Sequence, residues 1–191
     1  SNINGVVIGD PAFHPFFEAC MALDMPVFVH ALRPTGMDRL VGPAPLQQVL
    51  AYPTDVGLAA ASVLTGNLLE KYPKLRIAFS HGGGTLAMLL PRLQQAMSVF
   101  PALRDSVHTS PVEQARALYY DTLVFDPRTL RHLVDTFGAS QLMIGTDYPF
   151  NFHDKRPVDR IQEAGFDAQV IEKLTHANAR RFLGIAQTEL E

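Results

Sequence analysis

Four polar residues stand where short apolar runs of this sequence end. His30 and His81 each close such a run, and Asp121 and Asp147 follow two later ones. Imidazole and carboxylate groups are the side chains that hold a divalent ion and activate its bound water. If the runs are parallel strands, their ends meet at one face. The pattern predicts a mononuclear zinc or manganese site from His30, His81 and Asp147, whereas Asp121 is either a site residue or an acid that fixes a turn.

The elements that must position these residues follow a repeating strand–helix pattern. Apolar residues at helical spacing come after each run, which is typical of a parallel sheet covered by helices. The connection 31–53 is longer than an ordinary loop and is expected to be an active-site excursion or lid. We expect residues 1–191 to form one domain, with strands at 6–8, 27–29, 76–81, 118–120 and 142–144 and helices at 15–23, 55–72, 85–100, 127–137, 157–164 and 167–182.

Composition excludes several classes of protein. The 191 residues are 47% hydrophobic and 18% charged, with a net charge of -3, so the chain can bury a core. The absence of a Lys/Arg cluster argues against nucleic-acid and anionic-membrane partners. The apolar stretches are shorter than the ~20 residues that cross a bilayer. A single cysteine, Cys20, permits no internal disulfide and favours a reducing compartment, the cytoplasm.

A competing interpretation uses Ser80. The five residues around it read A-F-S-H-G, close to the G-x-S-x-G turn that carries the nucleophile of α/β-hydrolases. Asp147 and then His153 or His176 follow in the order that such a triad requires. This serine-hydrolase hypothesis has alanine in place of the first glycine and leaves His30 without a role.

Five segments together resemble the amidohydrolase-2 family, typified by aminocarboxymuconate semialdehyde decarboxylase and γ-resorcylate decarboxylase. They are VFVH ending at His30, IAFSHGGG around His81, LYYDT around Asp121, IGTDYPF around Asp147 and ANARRFLG at 177–184. Their order and spacing match over nearly the whole chain. The resemblance implies a (β/α)₈ TIM barrel of the metal-dependent hydrolase superfamily.

The resemblance also implies roles for single residues. His30 and Asp147 would be metal ligands, and His81 the base or polarising group, with Asp147 sharing its proton. Arg92, eleven residues after His81, matches an arginine that reaches a neighbouring subunit's substrate carboxylate, although a solvated helix arginine fits equally. Apart from the resemblance, the position of His153, six residues after Asp147 on the loop that follows the last strand, predicts that it contacts substrate. The implied activity is non-oxidative decarboxylation, or hydrolysis, of a small carboxylated aromatic or muconate-like compound by a homodimer.

Two features depart from the family pattern. The family's first strand carries H-x-H, which supplies two further metal ligands, and no two histidines of this sequence are separated by one residue. A complete barrel has eight strands, and the five found here correspond to strands 4–8. An open remnant would expose apolar surface and is expected to associate. The alternative from another class is a non-catalytic dimerising domain that retains the strand-end residues as relics.

Overall fold

The structure, a computed structural model, describes residues 1–185. Its strands are β1 (Asn2–Ile3), β2 (Val6–Val7), β3 (Val27–Val29), β4 (Ile77–Phe79), β5 (Tyr119–Asp121) and β6 (Leu142–Met143). Its α-helices are α1 (His14–Ala22), α2 (Tyr52–Thr65), α3 (Leu68–Lys71), α4 (Leu86–Val99), α5 (Pro101–Ser106), α6 (Pro111–Ala115), α7 (Pro127–Phe137), α8 (Pro157–Glu163), α9 (Ala168–Glu172) and α10 (Asn178–Leu183).

A parallel sheet organises the fold. Strands β3, β4, β5 and β6 lie side by side in sequence order, and every pair is parallel. Helices join successive strands, as a parallel connection requires. The carboxyl ends of all four strands therefore lie at one edge, and the predicted α/β class with a partial barrel is confirmed.

The first expected strand does not join this sheet. Val6 and Val7 pair antiparallel with Asn2 and Ile3 instead, as a separate two-stranded ribbon. The reason is local, because Asn4 and Gly5 both have left-handed φ, of 51° and 83°. An Asn-Gly pair favours a two-residue hairpin turn, so the chain returns on itself here.

The helix-facing side of the sheet carries the larger apolar core. Phe79 and Tyr120 are neighbours across β4 and β5, and both side chains are fully buried. The Tyr120 ring stacks on Phe137 of α7, with centroids 3.8 Å apart and planes at 11°. This packing fixes α7 against the sheet and holds the strand ends in place.

The opposite side of the sheet is only partly covered by the described residues. Ala78, Tyr119 and Met143 pack there against Phe182 of α10. Phe28 of β3 pairs in register with Ala78 yet remains 49% exposed. Aromatic surface on the first strand of the sheet therefore stays open to solvent.

Several helix bounds differ from expectation. The helix predicted for 55–72 starts at Tyr52 and breaks after Thr65, because Asn67 takes a left-handed φ of 53° between α2 and α3. The helix predicted for 167–182 is α9, a π-helical turn at Lys173–Ala177 and then α10. The connection 31–53 contains a π-helical turn at Gln47–Ala51. The tail predicted to fray lies, from residue 186 onward, outside the described residues.

None of the helices between residues 1 and 185 is both long and apolar enough to cross a bilayer.

Asn178 offers a test of how α10 is attached to the sheet. Its buried amide donates to Ala139 O at 2.7 Å and Leu142 O at 2.6 Å. Asn178→Ala leaves both carbonyls without this donor, and we expect a loss of about 2 kcal/mol in the free energy of unfolding, measured by urea titration. The matched control is Asn151→Ala, which lies in an exposed loop. Equal urea midpoints for the two variants would contradict this attachment.

Candidate metal centre

His30 and Asp147 meet at the carboxyl edge of the sheet. His30 directly follows β3, and Asp147 lies four residues beyond β6. His30 Nε2 is 3.0 Å from Asp147 Oδ1. His30 Nδ1 lies 3.0 Å from Ala31 O and donates to that carbonyl in the tautomer that protonates Nδ1. In that tautomer Nε2 is the ring nitrogen available to coordinate an ion, and a cation or a proton between Nε2 and Asp147 Oδ1 stabilises their close approach.

His81 completes the cluster. Its Nε2 is 3.9 Å from Asp147 Oδ2, and its ring centroid is 5.1 Å from that of His30. The side chain is 9% exposed. Burial, and secondarily the nearby His30, lower the pKa of His81 to about 4 against the partial opposition of Asp147. His81 is therefore a neutral imidazole at pH 7, able to coordinate an ion or accept a proton.

Backbone conformation at the cluster is unusual. His81 and Asp147 both take left-handed φ, of 54° and 65°. Such conformations are uncommon for residues with a side chain, and they concentrate at functional sites. At Gly82, where φ is 61°, a Cβ would lie 2.6 Å from side-chain carbons of both Leu133 and Val124. Only glycine fits this close turn, which aims His81 toward Asp147.

Asp121 stabilises the turn and does not join the cluster of ligating atoms. Its Oδ1 accepts from Gly82 N at 2.7 Å and from Leu123 N at 3.0 Å. The side chain is buried, and this burial raises the pKa of Asp121 to about 6 despite those hydrogen bonds. Of the two interpretations left open by the sequence, the geometry favours the acid that fixes a turn.

The three remaining side chains fit a divalent ion. One ligating atom from each of His30, His81 and Asp147 lies within 4.8 Å of the others. Ligands around one tetrahedral zinc ion are about 3.4 Å apart, so small side-chain shifts suffice. Two imidazoles and one carboxylate suit zinc or manganese. When bound, a divalent ion would supply Lewis acidity at this edge of the sheet.

A cavity of about 260 Å³ opens beside the cluster. His81 and Asp147 lie on its wall, together with Phe125 and Phe152 from the loops after β5 and β6. Gln48, from the long connection, also lines it. The connection therefore contributes to the cavity wall, and the volume suits a molecule of one ring, below the drug-sized range.

Arg92 and His153 lie outside this cavity wall. Arg92 is exposed on α4 and lines a separate apolar groove with Leu58 and Leu89. His153 is on the loop after β6, where its Nδ1 contacts Phe150 O and its ring meets Tyr148 edge-on. The structure does not bring either residue into the cluster, and their contacts with substrate remain predictions.

Ser80 lies beside His81 instead of the histidines that the serine-hydrolase hypothesis names. Its Oγ is 3.1 Å from His81 Nδ1, and the residue is 2% exposed. The histidines that the hypothesis names have other partners. His176 Nδ1 lies 3.7 Å from Glu172 Oε1, and His153 Nδ1 contacts Phe150 O in the loop after β6. A buried hydroxyl cannot reach substrate, so the contact orients the His81 ring.

Sequence reasoning missed the aromatic residues of the site. Phe150 stacks on His30 with centroids 5.8 Å apart and planes at 12°. Phe125 and Phe152 stack on each other at 4.8 Å. Phe150 belongs to the IGTDYPF motif, so proximity to Asp147 was a usable signal. Phe125 and Phe152 sit in loops, where spacing alone gives no orientation.

A parallel sheet whose strand ends carry a His–His–Asp cluster defines part of a metal-dependent TIM barrel. The comparison with family models agrees, because residues 4–185 match the amidohydrolase model. The chain belongs to the amidohydrolase family, of the amidohydrolase-2 type.

Known proteins similar to this chain include decarboxylases. The chain is 32% identical over 189 residues to 2-amino-3-carboxymuconate-6-semialdehyde decarboxylase of Dictyostelium discoideum, an alignment of 97% of this chain and 52% of that protein. Crystal structures of 5-carboxyvanillate decarboxylase from Sphingomonas paucimobilis and of a manganese-bound dihydroxybenzoic acid decarboxylase from Polaromonas share the fold. The 5-carboxyvanillate decarboxylase has a TM-score of 0.84 at 24% identity, over 97% of this chain and 57% of its own. The dihydroxybenzoic acid decarboxylase has a TM-score of 0.81 at 21% identity, over 94% of this chain and 56% of its own. The chain spans about half the length of the curated relatives it matches.

Substitution of Asp121 tests its role in the turn. Asp121→Ala leaves two backbone N–H groups without their acceptor and should lower the free energy of unfolding by about 2 kcal/mol. Asp121→Asn retains an oxygen acceptor and is the matched control.

The raised pKa of Asp121 gives a second test. Because the folded-state pKa of about 6 exceeds the ordinary 3.8, ionisation of Asp121 lowers the free energy of unfolding as the pH rises from about 4 to about 6. The stability of the Asp121 chain relative to Asp121→Asn should therefore fall between about pH 4 and pH 6 in urea titrations. A pH-independent difference would contradict the assignment.

Proposed function

We propose that this chain provides part of the active site of a metal-dependent, non-oxidative decarboxylase for a small carboxylated aromatic or muconate-like compound. The observation that carries the proposal is the His30–His81–Asp147 cluster, of which His81 and Asp147 lie on the wall of a one-ring cavity. The names of the relatives support carboxylated substrates, including 2-amino-3-carboxymuconate-6-semialdehyde and 6-methylsalicylic acid. Hydrolysis is the second activity that the same cluster permits.

The chain's own residues divide the work. His30 and Asp147 hold the ion, which is zinc or manganese in this proposal. In decarboxylation the bond from carbon to the carboxylate breaks, CO₂ leaves, and the electron pair left on carbon takes up a proton. His81 is the group placed to move that proton, because it lies on the cavity wall with its Nε2 3.9 Å from Asp147 Oδ2. Its lowered pKa leaves it neutral at pH 7, so it first accepts a proton from solvent and then passes that proton to the carbon.

The ligand set of this chain is short of the family pattern. Catalytic zinc usually has three protein ligands, so His81 must join His30 and Asp147, or an H-x-H strand must come from elsewhere. We therefore expect the isolated chain to bind metal weakly and to show little decarboxylation alone. The cytoplasm remains the compartment that we propose, from the single cysteine.

Metal binding provides the direct test. The chain should bind one Zn²⁺ or Mn²⁺ in equilibrium dialysis with elemental analysis, and His30→Ala or Asp147→Ala should weaken affinity at least about tenfold. His132→Ala, an exposed histidine on α7, is the matched control and should leave affinity unchanged. Release of CO₂ from 6-methylsalicylate and 2,6-dihydroxybenzoate should stay low with the isolated chain, because its ligand set is incomplete.

The outcome separates the classes of function. Equal metal affinity in His30→Ala and His132→Ala would withdraw the metal centre and favour the non-catalytic dimerising domain. Covalent labelling of Ser80 that ignores chelators would instead favour the serine hydrolase.

We also propose that the chain forms a homodimer in which Arg92 serves the neighbouring copy. Arg92 lies outside its own cavity wall, beside exposed Leu58 and Leu89 on α2 and α4. An apolar rim around a cation suits burial of that rim between copies, with the guanidinium directed at a carboxylate.

Leu89→Asp tests the dimer. It places a charge in the apolar groove and should yield a monomer in size-exclusion chromatography with light scattering. Arg92→Ala should preserve the dimer but weaken binding of 2,6-dihydroxybenzoate about tenfold, while exposed Arg104→Ala should change neither property. A monomeric parent chain, or unchanged ligand binding in Arg92→Ala, would contradict the proposal.

A further inference from the structure

A buried ion pair lies behind the loop that carries Asp147. Arg160 of α8 donates through Nε to Asp154 Oδ2 at 2.6 Å and through Nη2 to Asp154 Oδ1 at 3.3 Å. The Asp154 side chain is 3% exposed and that of Arg160 is 23% exposed. A two-pronged contact of this kind fixes orientation as well as distance.

The pair ties together the two loops that line the cavity. Asp154 N donates to Thr146 O at 2.8 Å, which closes the loop after β6 next to Asp147. Arg160 also donates through Nη1 to Phe125 O at 2.9 Å in the loop after β5. The guanidinium carbon lies 5.8 Å from the centre of the Phe125 ring. One side chain thus contacts the carboxylate of one loop and both the carbonyl and the ring of the other.

The two loops carry the aromatic wall of the cavity, which we define as Phe125 and Phe152. Their rings stack with centroids 4.8 Å apart and planes at 28°. Phe125 has a left-handed φ of 56°, a conformation that needs support from its surroundings. Both rings line the same cavity as His81 and Asp147.

We propose that Arg160 and Asp154 are positioning residues that hold the aromatic wall in place, and that this wall selects a planar ring over a puckered one. Selection rests on the proposed function, since it places the substrate ring between the wall and the metal centre. Stacking on a fixed aromatic face rewards flat ligands. If the loops separated, Phe125 and Phe152 would lose their stacking contact while His30 and His81 stayed next to the ends of β3 and β4.

The variants must avoid an unpaired buried charge. Arg160→Gln alone leaves Asp154 without its partner and is expected to destabilise the chain. The double variant Asp154→Asn/Arg160→Gln removes both charges and serves if the single variant does not fold. Arg156→Gln is the matched control, because Arg156 directly precedes the same helix and, within residues 1–185, its side chain pairs at the surface with Asp159 and Glu163. The substitution keeps the Arg156 backbone N–H that donates to Asp154 Oδ1.

Fluorine NMR of the chain labelled with fluorophenylalanine reports the environment of Phe125 and Phe152 directly, without metal or ligand. Phe125→Leu and Phe152→Leu assign the two resonances. In the Arg160 variants we expect both resonances to move toward the position of the free amino acid, while the other phenylalanines and Arg156→Gln stay unchanged. Retention of both shifts in the double variant would overturn the positioning role, and general collapse of all resonances would reduce the pair to ordinary stabilisation.

Ligand binding tests whether the aromatic wall selects planar rings. Dissociation constants of 2,6-dihydroxybenzoate and cyclohexanecarboxylate are compared on zinc-loaded chain. The preference for the planar acid should fall roughly three- to tenfold in the Arg160 variants, with metal affinity within about twofold. An unchanged preference would overturn selection. Absence of binding by the parent chain would count against both selection and the proposed function, while the fluorine spectra still decide whether the pair positions the wall.

Discussion

Parallel pairing of β3, β4, β5 and β6 is the constraint on which the site depends. Parallel strands point their carboxyl ends in one direction, so residues distant in sequence arrive at one edge. His30 and Asp147 are 117 positions apart in the sequence, yet His30 Nε2 lies 3.0 Å from Asp147 Oδ1. Stacking of Tyr120 on Phe137 packs the sheet against α7, and this packing holds the strand ends in place.

The cluster could be predicted from the sequence because its signal is carried by strands. Polar residues that close apolar runs need only the parallel arrangement to meet, which made His30, His81 and Asp147 a prediction from pattern alone. The aromatic wall could not be predicted in this way. Phe125 and Phe152 stand in loops, and their orientation depends on Arg160 and its long-range contacts.

Errors in the fold prediction have local causes. The run at 6–8 has the composition of a buried strand, but Asn4 and Gly5 before it form a hairpin turn. That Asn-Gly pair was a readable signal. The break between α2 and α3 depends on a left-handed Asn67, whose side chain donates to Ser106 O at 2.7 Å. A contact with a residue 39 positions away cannot be predicted from the periodicity of apolar residues within a helix.

Charge at the site connects its architecture to the chemistry proposed. Histidines bind metals as neutral groups, so Asp147 contributes the one negative charge of the three-residue set. A divalent ion held there keeps an excess positive charge, which suits a carboxylated substrate in a partly buried cavity. Asp121, whose pKa burial raises to about 6, lies behind the turn and gives its oxygen to backbone N–H groups. Its use in the turn leaves Asp147 as the carboxylate of the cluster that faces the cavity, and a divalent ion held there would keep a net positive charge toward an anionic ligand.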